Sequence, residues 1–301
     1  MGEDHGRLAR ASAPRLDPPP SARPRKRAGP SLYLSAKARA AAQATARATG
    51  RHIERAENTA RLLDVTYRMS LLPYEVVEPG LAWAEPWSVP LVTSGLATEY
   101  YERFAELSAQ NVLRFLILDA TNPSSIFCCL RAARESARSV RGAITSEMYE
   151  DLNSAWLEIR RVDFARVEAD GVSEFLDWVK MRSHLFRGVT FGTMLRDEAY
   201  HFIRLGTHLE RADNTARILD VKYHTLLPSA ADVGGAVDYY QWGALLRSVS
   251  GFESYRKIYS DVITPRRVAE LLILRDDMPR SLHACMNFIH ETLEKICDES
   301  S

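Results

Sequence analysis

The chain has 301 residues, of which 46% are hydrophobic and 26% are charged, a composition typical of a folded globular protein. Its formal net charge is zero, but residues 1–50 carry ten Lys/Arg against three Asp/Glu (+7), and the remainder carries 29 against 36 (−7). A mildly acidic folded part argues against nucleic-acid binding, and the lack of a run of about 18 apolar residues argues against a membrane span.

Other absences in the sequence exclude several classes of site. The N-terminus has no apolar secretory segment, which predicts a cytoplasmic protein. Cys128, Cys129, Cys285 and Cys297 show no zinc-binding spacing, and we expect them to be reduced thiols. There is no Gly-rich phosphate loop and no nucleophile motif with its base. The sequence therefore predicts neither a metal nor a cofactor.

In chain order, the first segment is a Pro-, Arg-, Ala- and Ser-rich stretch over residues 1–34, which predicts a disordered basic tail. Residues 35–301 then form one domain in which strand signals are nearly absent and helical periodicity is continuous. Asn122–Pro123 and Thr264–Pro265 each predict a helix N-cap followed by proline at the first helical position. Two further caps are predicted at Ser146 and Ser173.

One segment of the chain occurs twice. Residues 50–67 align with residues 206–223 at an offset of 156, with thirteen of eighteen positions identical. Scattered identities continue at nearly the same offset over about 80 residues. We infer an internal duplication, with copy one over about 40–145, a helical connector over 146–195 and copy two over 196–301. The predicted fold is an all-α, internally duplicated helical bundle with two pseudo-symmetric copies of this helix. We expect the connector to break near Gly171.

The repeated helix keeps its apolar and its polar positions alike. Its apolar seam is Ile53, Ala56, Ala60, Leu63 and Tyr67 in copy one, and Leu209, Ala212, Ala216, Leu219 and Tyr223 in copy two. The repeated polar positions are Glu54, Arg55, Asn58, Arg61 and Asp64 in copy one, and Glu210, Arg211, Asn214, Arg217 and Asp220 in copy two. Surface pairing along one helix contributes only about 0.3–0.5 kcal/mol per pair, which is too little to explain this retention.

Two interpretations of the polar positions follow. In the first, the two polar faces are buried together as an ion-pair network, in which loss of one partner costs about 3–5 kcal/mol. Glu54 would then meet Arg211 or Arg217, and Glu210 would meet Arg55 or Arg61. In the second, the carboxylates, guanidinium groups and amides line a site for an anion or a peptide.

The two copies differ after Pro123. Arg131, Arg134, Arg138 and Arg141 recur at helical spacing beside Glu135, whereas the aligned residues of copy two are Asn287, His290, Glu294 and Cys297. Ser124 and Ser125 lie at the predicted start of this helix, where free backbone N–H groups favour anions. The stripe is either a solvated charged face or an anion-binding surface made of Ser124, Ser125, Arg131, Arg134, Glu135 and Arg138.

These motifs resemble the alpha-E family of bacterial helical proteins. Glu54–Arg55 and Glu210–Arg211 match the ER motif of that family, and the blocks NPSSI (122–126), RESAR (134–138) and PRS (279–281) also fit. The resemblance covers about residues 50–297. It implies a bacterial origin and partnership with a circularly permuted ATP-grasp protein and a transglutaminase-like protein, in a system that makes or modifies a peptide.

Three functions are compatible with these features. The first is a helical partner or substrate-positioning component of the ATP-grasp-associated system, which binds an anionic or peptidic group. The second is a stand-alone enzyme, with Glu54 or Glu210 as acid/base and an arginine as a clamp for an oxyanion or carboxylate. The third is an assembly module in which the ER network only joins the two halves.

Overall fold

The computed structural model describes residues 36–71, 86–224 and 236–300, and within these ranges every regular element is helical. The all-α prediction is confirmed. The predicted tail at residues 1–34 lies outside the described residues. None of the described helices is both long and apolar enough to cross a membrane.

The helices are numbered in chain order. They are α1 (Ala36–Ser70), α2 (Ser88–Ser94), α3 (Ala97–Tyr101), α4 (Ala109–Ile117), α5 (Ile126–Ser139), α6 (Ser146–Ile159), α7 (Phe164–Asp170), α8 (Val172–Thr193), α9 (Glu198–His224), α10 (Ala236–Ser248), α11 (Phe252–Tyr259), α12 (Pro265–Ala269), a π-helical turn (Glu270–Leu274) and α13 (Leu282–Ser300).

The two long helices that carry the repeated segment, α1 and α9, pack directly against each other. A Cβ atom at Gly50 would lie 2.1 Å from the carbonyl oxygen of Ile203, and a Cβ atom at Gly206 would lie 2.0 Å from that of Arg47. Both distances are far below van der Waals contact, so only glycine permits this approach. The contact is reciprocal, because each glycine and each carbonyl has its counterpart 156 residues away.

The remaining helices cover the two long helices unequally. Helix α5 packs against α1, and α13 packs against α9. The connector helix α8 packs against α1, and α6 packs against α5 and α8. The larger apolar core therefore extends from α1 through the connector to the start of α9. A smaller core surrounds Trp242, Leu246 and Tyr255.

The unequal cover overturns two positions of the predicted apolar seam, both on α9. Ile53 and Ala60 of α1 are buried as predicted. Their counterparts on α9 are not, because Leu209 is 39% exposed and Ala216 is also exposed. The connector explains the difference, since it packs against α1 and the main contacts of α9 are with α1, α2 and α13.

Two of the predicted helix starts are shifted and one is confirmed. Thr264 caps α12 with Pro265 at its first position, as predicted. Helix α5 begins at Ile126 rather than at Pro123, because the Asn122 side chain accepts the N–H of Ser124 and closes the preceding turn. Helix α6 is capped by Thr145, one residue before the predicted Ser146.

The connector contains three helices, α6, α7 and α8, where the sequence indicated two. The break at Gly171 is confirmed, and its φ of 108° lies in a region that favours glycine. Because α8 starts at Val172 with Gly171 as its N-cap, the cap predicted at Ser173 is wrong.

Candidate functional site

Two reciprocal ion pairs join α1 to α9 beside the glycine contact. Arg211 donates to Glu54 through Nε and Nη2, both at 2.9 Å. Arg55 donates to Glu210 through Nε at 2.5 Å and Nη2 at 2.9 Å. Glu54 is 1% exposed and Glu210 is 7% exposed, so both carboxylates are buried. These bidentate pairs are the arrangement that guanidinium and carboxylate groups form most strongly.

The polar face of α1 is closed by two further arginines. Arg280, which precedes α13, lies 2.9 Å from Glu54 and donates to Glu57 at 2.7 Å. Arg187 of α8 donates to Glu54 at 3.1 Å and also binds Glu57. Arg61 donates to Glu57 at 2.7 Å. Glu54 and Glu57 are therefore surrounded by guanidinium groups that come from four helices or their flanking turns.

This environment holds both carboxylates in their charged form. Burial alone would raise the pKa of Glu54, but the guanidinium groups of Arg280 and Arg211 lower it to about 2. Burial would likewise raise the pKa of Glu57, but a hydrogen bond to His184 and the charges of Arg280 and Arg187 keep it far below its usual range. A carboxylate that stays ionised and fully paired at neutral pH is a poor general acid and a weak base.

Asn58 lies at the edge of this network and is only half satisfied. Its side-chain oxygen accepts a hydrogen bond from Arg280 Nη1 at 2.9 Å. Its amide nitrogen has no hydrogen-bond partner among the described residues. Because Asn58 is only 5% exposed, solvent does not replace that partner. An unpaired buried donor costs about 1–3 kcal/mol, which marks the position as one that a ligand acceptor would stabilise.

Asn58 faces a pocket of about 220 Å³ that opens along the polar face of α9. The pocket presents both signs of charge as well as hydroxyl and amide groups. Its polar lining consists of Arg55, Asn58, Thr59, Thr93, Ser94, Ser124, Glu210, Asp213, Asn214 and Arg217. Arg217 donates to Asp213 at 2.8 Å, and both side chains of this pair are about half exposed. We call this space the Ser124 pocket.

The Ser124 pocket occupies the place that Arg280 fills on the other face. Pro123 and Ser125 align with Pro279 and Ser281, so Ser124 aligns with Arg280. The residues that Arg280 contacts on α1 are Glu54, Glu57 and Asn58, and their counterparts on α9 are Glu210, Asp213 and Asn214. All three counterparts line the Ser124 pocket. A short serine therefore leaves open a site of the same polar composition as the one that a guanidinium group closes.

The structure places the other predicted anion-binding residues elsewhere. Ser125 is fully buried, accepts the N–H of Cys128 at 3.1 Å and donates to the carbonyl of Asp119 at 2.8 Å. The N–H of Ser124 is taken by Asn122. These N–H groups are not free, so the expectation of an anion site at the backbone of Ser124 and Ser125 is wrong.

The arginine stripe runs along the outer side of α5 and does not line the Ser124 pocket. Arg134 donates to Asn153 at 3.2 Å and pairs with Glu135. Arg138 lies 3.7 Å from Glu135. Arg131 stacks over Phe127 at 5.7 Å. The stripe is thus partly engaged within the molecule.

The repeated aspartates have different surroundings. Asp64 binds Lys180 of α8 at 2.9 Å and Arg68 at 2.8 Å, which ties α1 to the connector. Asp220 of α9 is exposed. Three important network residues, Glu57, Arg187 and Arg280, were not among the predicted site residues. Glu57 and Arg280 had a signal in the aligned Asp213 and in the PRS block, whereas Arg187 lies in the unrepeated connector and had none.

Within the described ranges, no group of three or more His, Cys, Asp or Glu side chains is arranged to hold a metal ion. No curated protein matches the chain. No solved structure matches it either. A family model described as a predicted alpha-helical domain with a conserved ER motif matches residues 49–301. The match covers most of the chain and includes both Glu–Arg pairs that join α1 to α9, and the chain belongs to the Alpha-E family.

Proposed function

We propose that this protein is a substrate-positioning component that holds a peptide-like group with a basic end in the Ser124 pocket. The observation that carries the proposal is the position of Asn58, whose buried amide nitrogen has no partner among the described residues and which, as a residue, lines a pocket that also presents carboxylates. A peptide supplies both complements, because its carbonyl groups accept hydrogen bonds and a basic side chain or terminus donates them.

The basic end of the ligand is inferred from Arg280. On α1 the guanidinium group of Arg280 is held between Glu54, Glu57 and Asn58. On α9, Arg55 binds Glu210 and Arg217 binds Asp213, but the residue that aligns with Arg280 is Ser124, which supplies no guanidinium group. We expect an arginine side chain of the ligand to bind Asp213 and Asn214 in the same way.

The duplication and the biological setting are part of the proposal. The reciprocal glycine contacts and the reciprocal Arg–Glu pairs support a chain built from two related halves. The resemblance to the alpha-E family supports a bacterial, cytoplasmic protein that works beside an ATP-grasp protein and a transglutaminase-like protein. In such a system the bound peptide would be a substrate or a product of amide-bond formation.

The two alternative functions have weaker support. A stand-alone enzyme with Glu54 as acid/base conflicts with the low pKa of that carboxylate and with its full set of arginine partners. A purely structural module accounts for the closed face of α1. It does not account for the open pocket between α1 and α9, or for the unsatisfied buried donor of Asn58 beside it.

The proposal is tested by calorimetric titration of the full chain with the tripeptides Gly-Arg-Gly and Gly-Glu-Gly. We expect Gly-Arg-Gly to bind and Gly-Glu-Gly to bind at least tenfold more weakly. Asp213→Asn removes a pocket carboxylate and should abolish the preference for arginine. Asp170→Asn is the matched control, because Asp170 also forms an exposed i,i+4 pair with an arginine but lies outside the pocket. Equal binding of both peptides, or unchanged binding by Asp213→Asn, would refute the proposal.

The partner is tested by co-purification of the tagged chain with the ATP-grasp protein. The triple variant Arg131→Ala, Arg134→Ala and Arg138→Ala removes the stripe on α5 without altering the Ser124 pocket. Loss of the partner with retained Gly-Arg-Gly binding would assign the stripe to partner contact. If the triple variant still co-purifies with the ATP-grasp protein, the stripe on α5 is not the surface that contacts this partner.

A further inference from the structure

A second cavity, of about 100 Å³, lies between the connector helix α8 and the first half of α9. Its polar lining consists of Arg187, Thr190, Arg204, Thr207, His208 and Arg211. It shares no lining residue with the Ser124 pocket. At roughly 30 Å³ per water molecule, the cavity has room for about three waters, or for one small polyatomic ion. We call it the Arg204 cavity.

The charges around the Arg204 cavity do not balance. Among the described residues, the ion-pair network beside it contains four guanidinium groups, those of Arg61, Arg187, Arg211 and Arg280, against the two carboxylates of Glu54 and Glu57. The network therefore carries an excess of two positive charges. Buried charge without a partner is costly, so a counterion in the adjoining cavity would stabilise the fold.

Arg204 adds a fifth guanidinium group. It forms no ion pair in the described part of the chain, and its buried Nε has no hydrogen-bond partner. Its guanidinium group stacks instead over the ring of Phe288 at 4.5 Å, which fixes its position without neutralising it. Burial, together with repulsion from Arg211 and Arg187, lowers the pKa of Arg204 from its usual value. The side chain is thus held in place with a hydrogen-bond donor unused.

The neighbouring arginines also have N–H groups to spare. In the hydrogen bonds of the described residues, Arg187 donates only through Nη1, and Arg211 donates through Nε and Nη2. The hydroxyl groups of Thr190 and Thr207 donate to carbonyls of their own helices, so neither has a proton to offer a ligand. The donors available to an anion are therefore guanidinium groups, which suit planar carboxylates and phosphates alike.

We propose that the Arg204 cavity binds a phosphate group. With Arg204 the excess is three positive charges, and a dianion offsets two of them, whereas a single carboxylate offsets only one. The bound group would bridge Arg204 and Arg187 and link the connector to α9. The phosphate is either a free ion or the end of a larger phosphorylated ligand that enters past Arg187 and Arg204, which are both partly exposed.

The test measures thermal unfolding of the full chain in increasing inorganic phosphate at constant ionic strength, with chloride as the matched salt. We expect a saturable rise in Tm with phosphate and none with chloride. Phosphoserine distinguishes the source: tighter binding than inorganic phosphate assigns the site to a phosphorylated ligand, and weaker binding assigns it to the free ion. The absence of a phosphate-specific shift would overturn the proposal.

Variants locate the effect. Arg204→Met keeps a side chain that can pack on Phe288 and should weaken phosphate binding at least tenfold, while Arg204→Lys keeps the charge and should weaken it less. Arg247→Met is the matched control, because exposed Arg247 stacks on Phe252 at 4.0 Å in the same manner. Asp213→Asn should bind phosphate normally, which separates this proposal from that of the Ser124 pocket. Normal phosphate binding by Arg204→Met would overturn the assignment.

Discussion

The polar faces of α1 and α9 have nearly the same residues in two different states. On α1, the carboxylates of Glu54 and Glu57 are enclosed by Arg280 and Arg187, and Arg280 also donates to Asn58. On α9, the aligned Glu210, Asp213 and Asn214 line an open pocket of about 220 Å³. Glu210 is buried and paired with Arg55 like its counterpart, so the two halves differ at Asp213 and Asn214, which face the open pocket.

The difference comes from residues outside the repeated helix. Ser124 stands at the position that aligns with Arg280, and the connector supplies Arg187 to the carboxylates of α1. Two helices of similar sequence can therefore differ in role. The polar face of α1 is buried because Arg280 and Arg187 of α8 contact it, whereas part of the polar face of α9 lines a pocket because Ser124 is short.

The largest effect is expected at Glu57. Glu57→Gln removes a buried charge that pairs with Arg61, Arg187 and Arg280, and it should lower the free energy of unfolding by about 3–5 kcal/mol. The aligned Asp213→Asn breaks only a half-exposed pair and should cost about 0.3–0.5 kcal/mol. Urea denaturation of both variants measures the contrast. An equal decrease in the free energy of unfolding of the two variants would show that the two polar faces contribute equally to stability.

The next effect concerns the crossing of the two helices. Gly50→Ala and Gly206→Ala each place a methyl group within about 2 Å of a backbone carbonyl oxygen and should destabilise by about 1–3 kcal/mol or more. Gly188→Ala is the control, because a Cβ atom there meets nothing within 4 Å and the residue lies inside α8. That variant should gain about 0.5–1 kcal/mol from helix propensity. Thermal unfolding measures the three variants. The same change in Tm for all three would contradict the close contact of α1 and α9 at Gly50 and Gly206.

A smaller, pH-dependent effect is expected at His208. Burial, followed by the charge of Arg211, lowers its pKa from 6.5 to about 3. Below pH 6.5 the unfolded chain takes up a proton that the native imidazole refuses, so this contribution is complete above pH 6.5 and is lost as the pH falls. Between pH 6.5 and pH 5 the loss is about 2 kcal/mol.

His208→Gln should flatten the dependence of the unfolding free energy on pH by that amount. His290→Gln is the control, since the His290 side chain is 74% exposed. The comparison must be made between variants, because burial raises the pKa of Asp151 to about 6 and its protonation stabilises the native state as the pH falls from 6 towards 3.8. Identical slopes for His208→Gln and His290→Gln would contradict the burial of a neutral imidazole.

The sequence predicted the helical class and the polar positions that join α1 to α9. Helical periodicity and the repeated segment can both be read directly from the order of residues, without knowledge of the tertiary packing. It could not predict Arg187, since nothing in the connector sequence indicates which helix face that arginine will meet. It was also wrong about two positions of the α9 seam, Leu209 and Ala216, which are exposed. The repeat implied equal burial of Ile53 and Leu209, but burial depends on the neighbouring helices, and only α1 is covered by the connector.

Helix ends show the same limit on a smaller scale. Asn122–Pro123 has the composition of a helix start, but its side chain closes a turn, and Ser125 caps the helix instead. Both arrangements use the same residue types, so composition alone did not decide between them. The Ser124 pocket could not be predicted from the sequence either. It exists because Ser124 is short where the aligned residue, Arg280, is long, and the two positions are 156 residues apart.

The most direct measurement of the division between the two faces is the binding of Gly-Arg-Gly to Ser124→Arg. An arginine at this position would close the α9 face as Arg280 closes that of α1. The variant should lose peptide binding while its free energy of unfolding stays equal to that of the wild type or rises. Full Gly-Arg-Gly affinity in a folded Ser124→Arg protein would show that the α9 face is not the binding site.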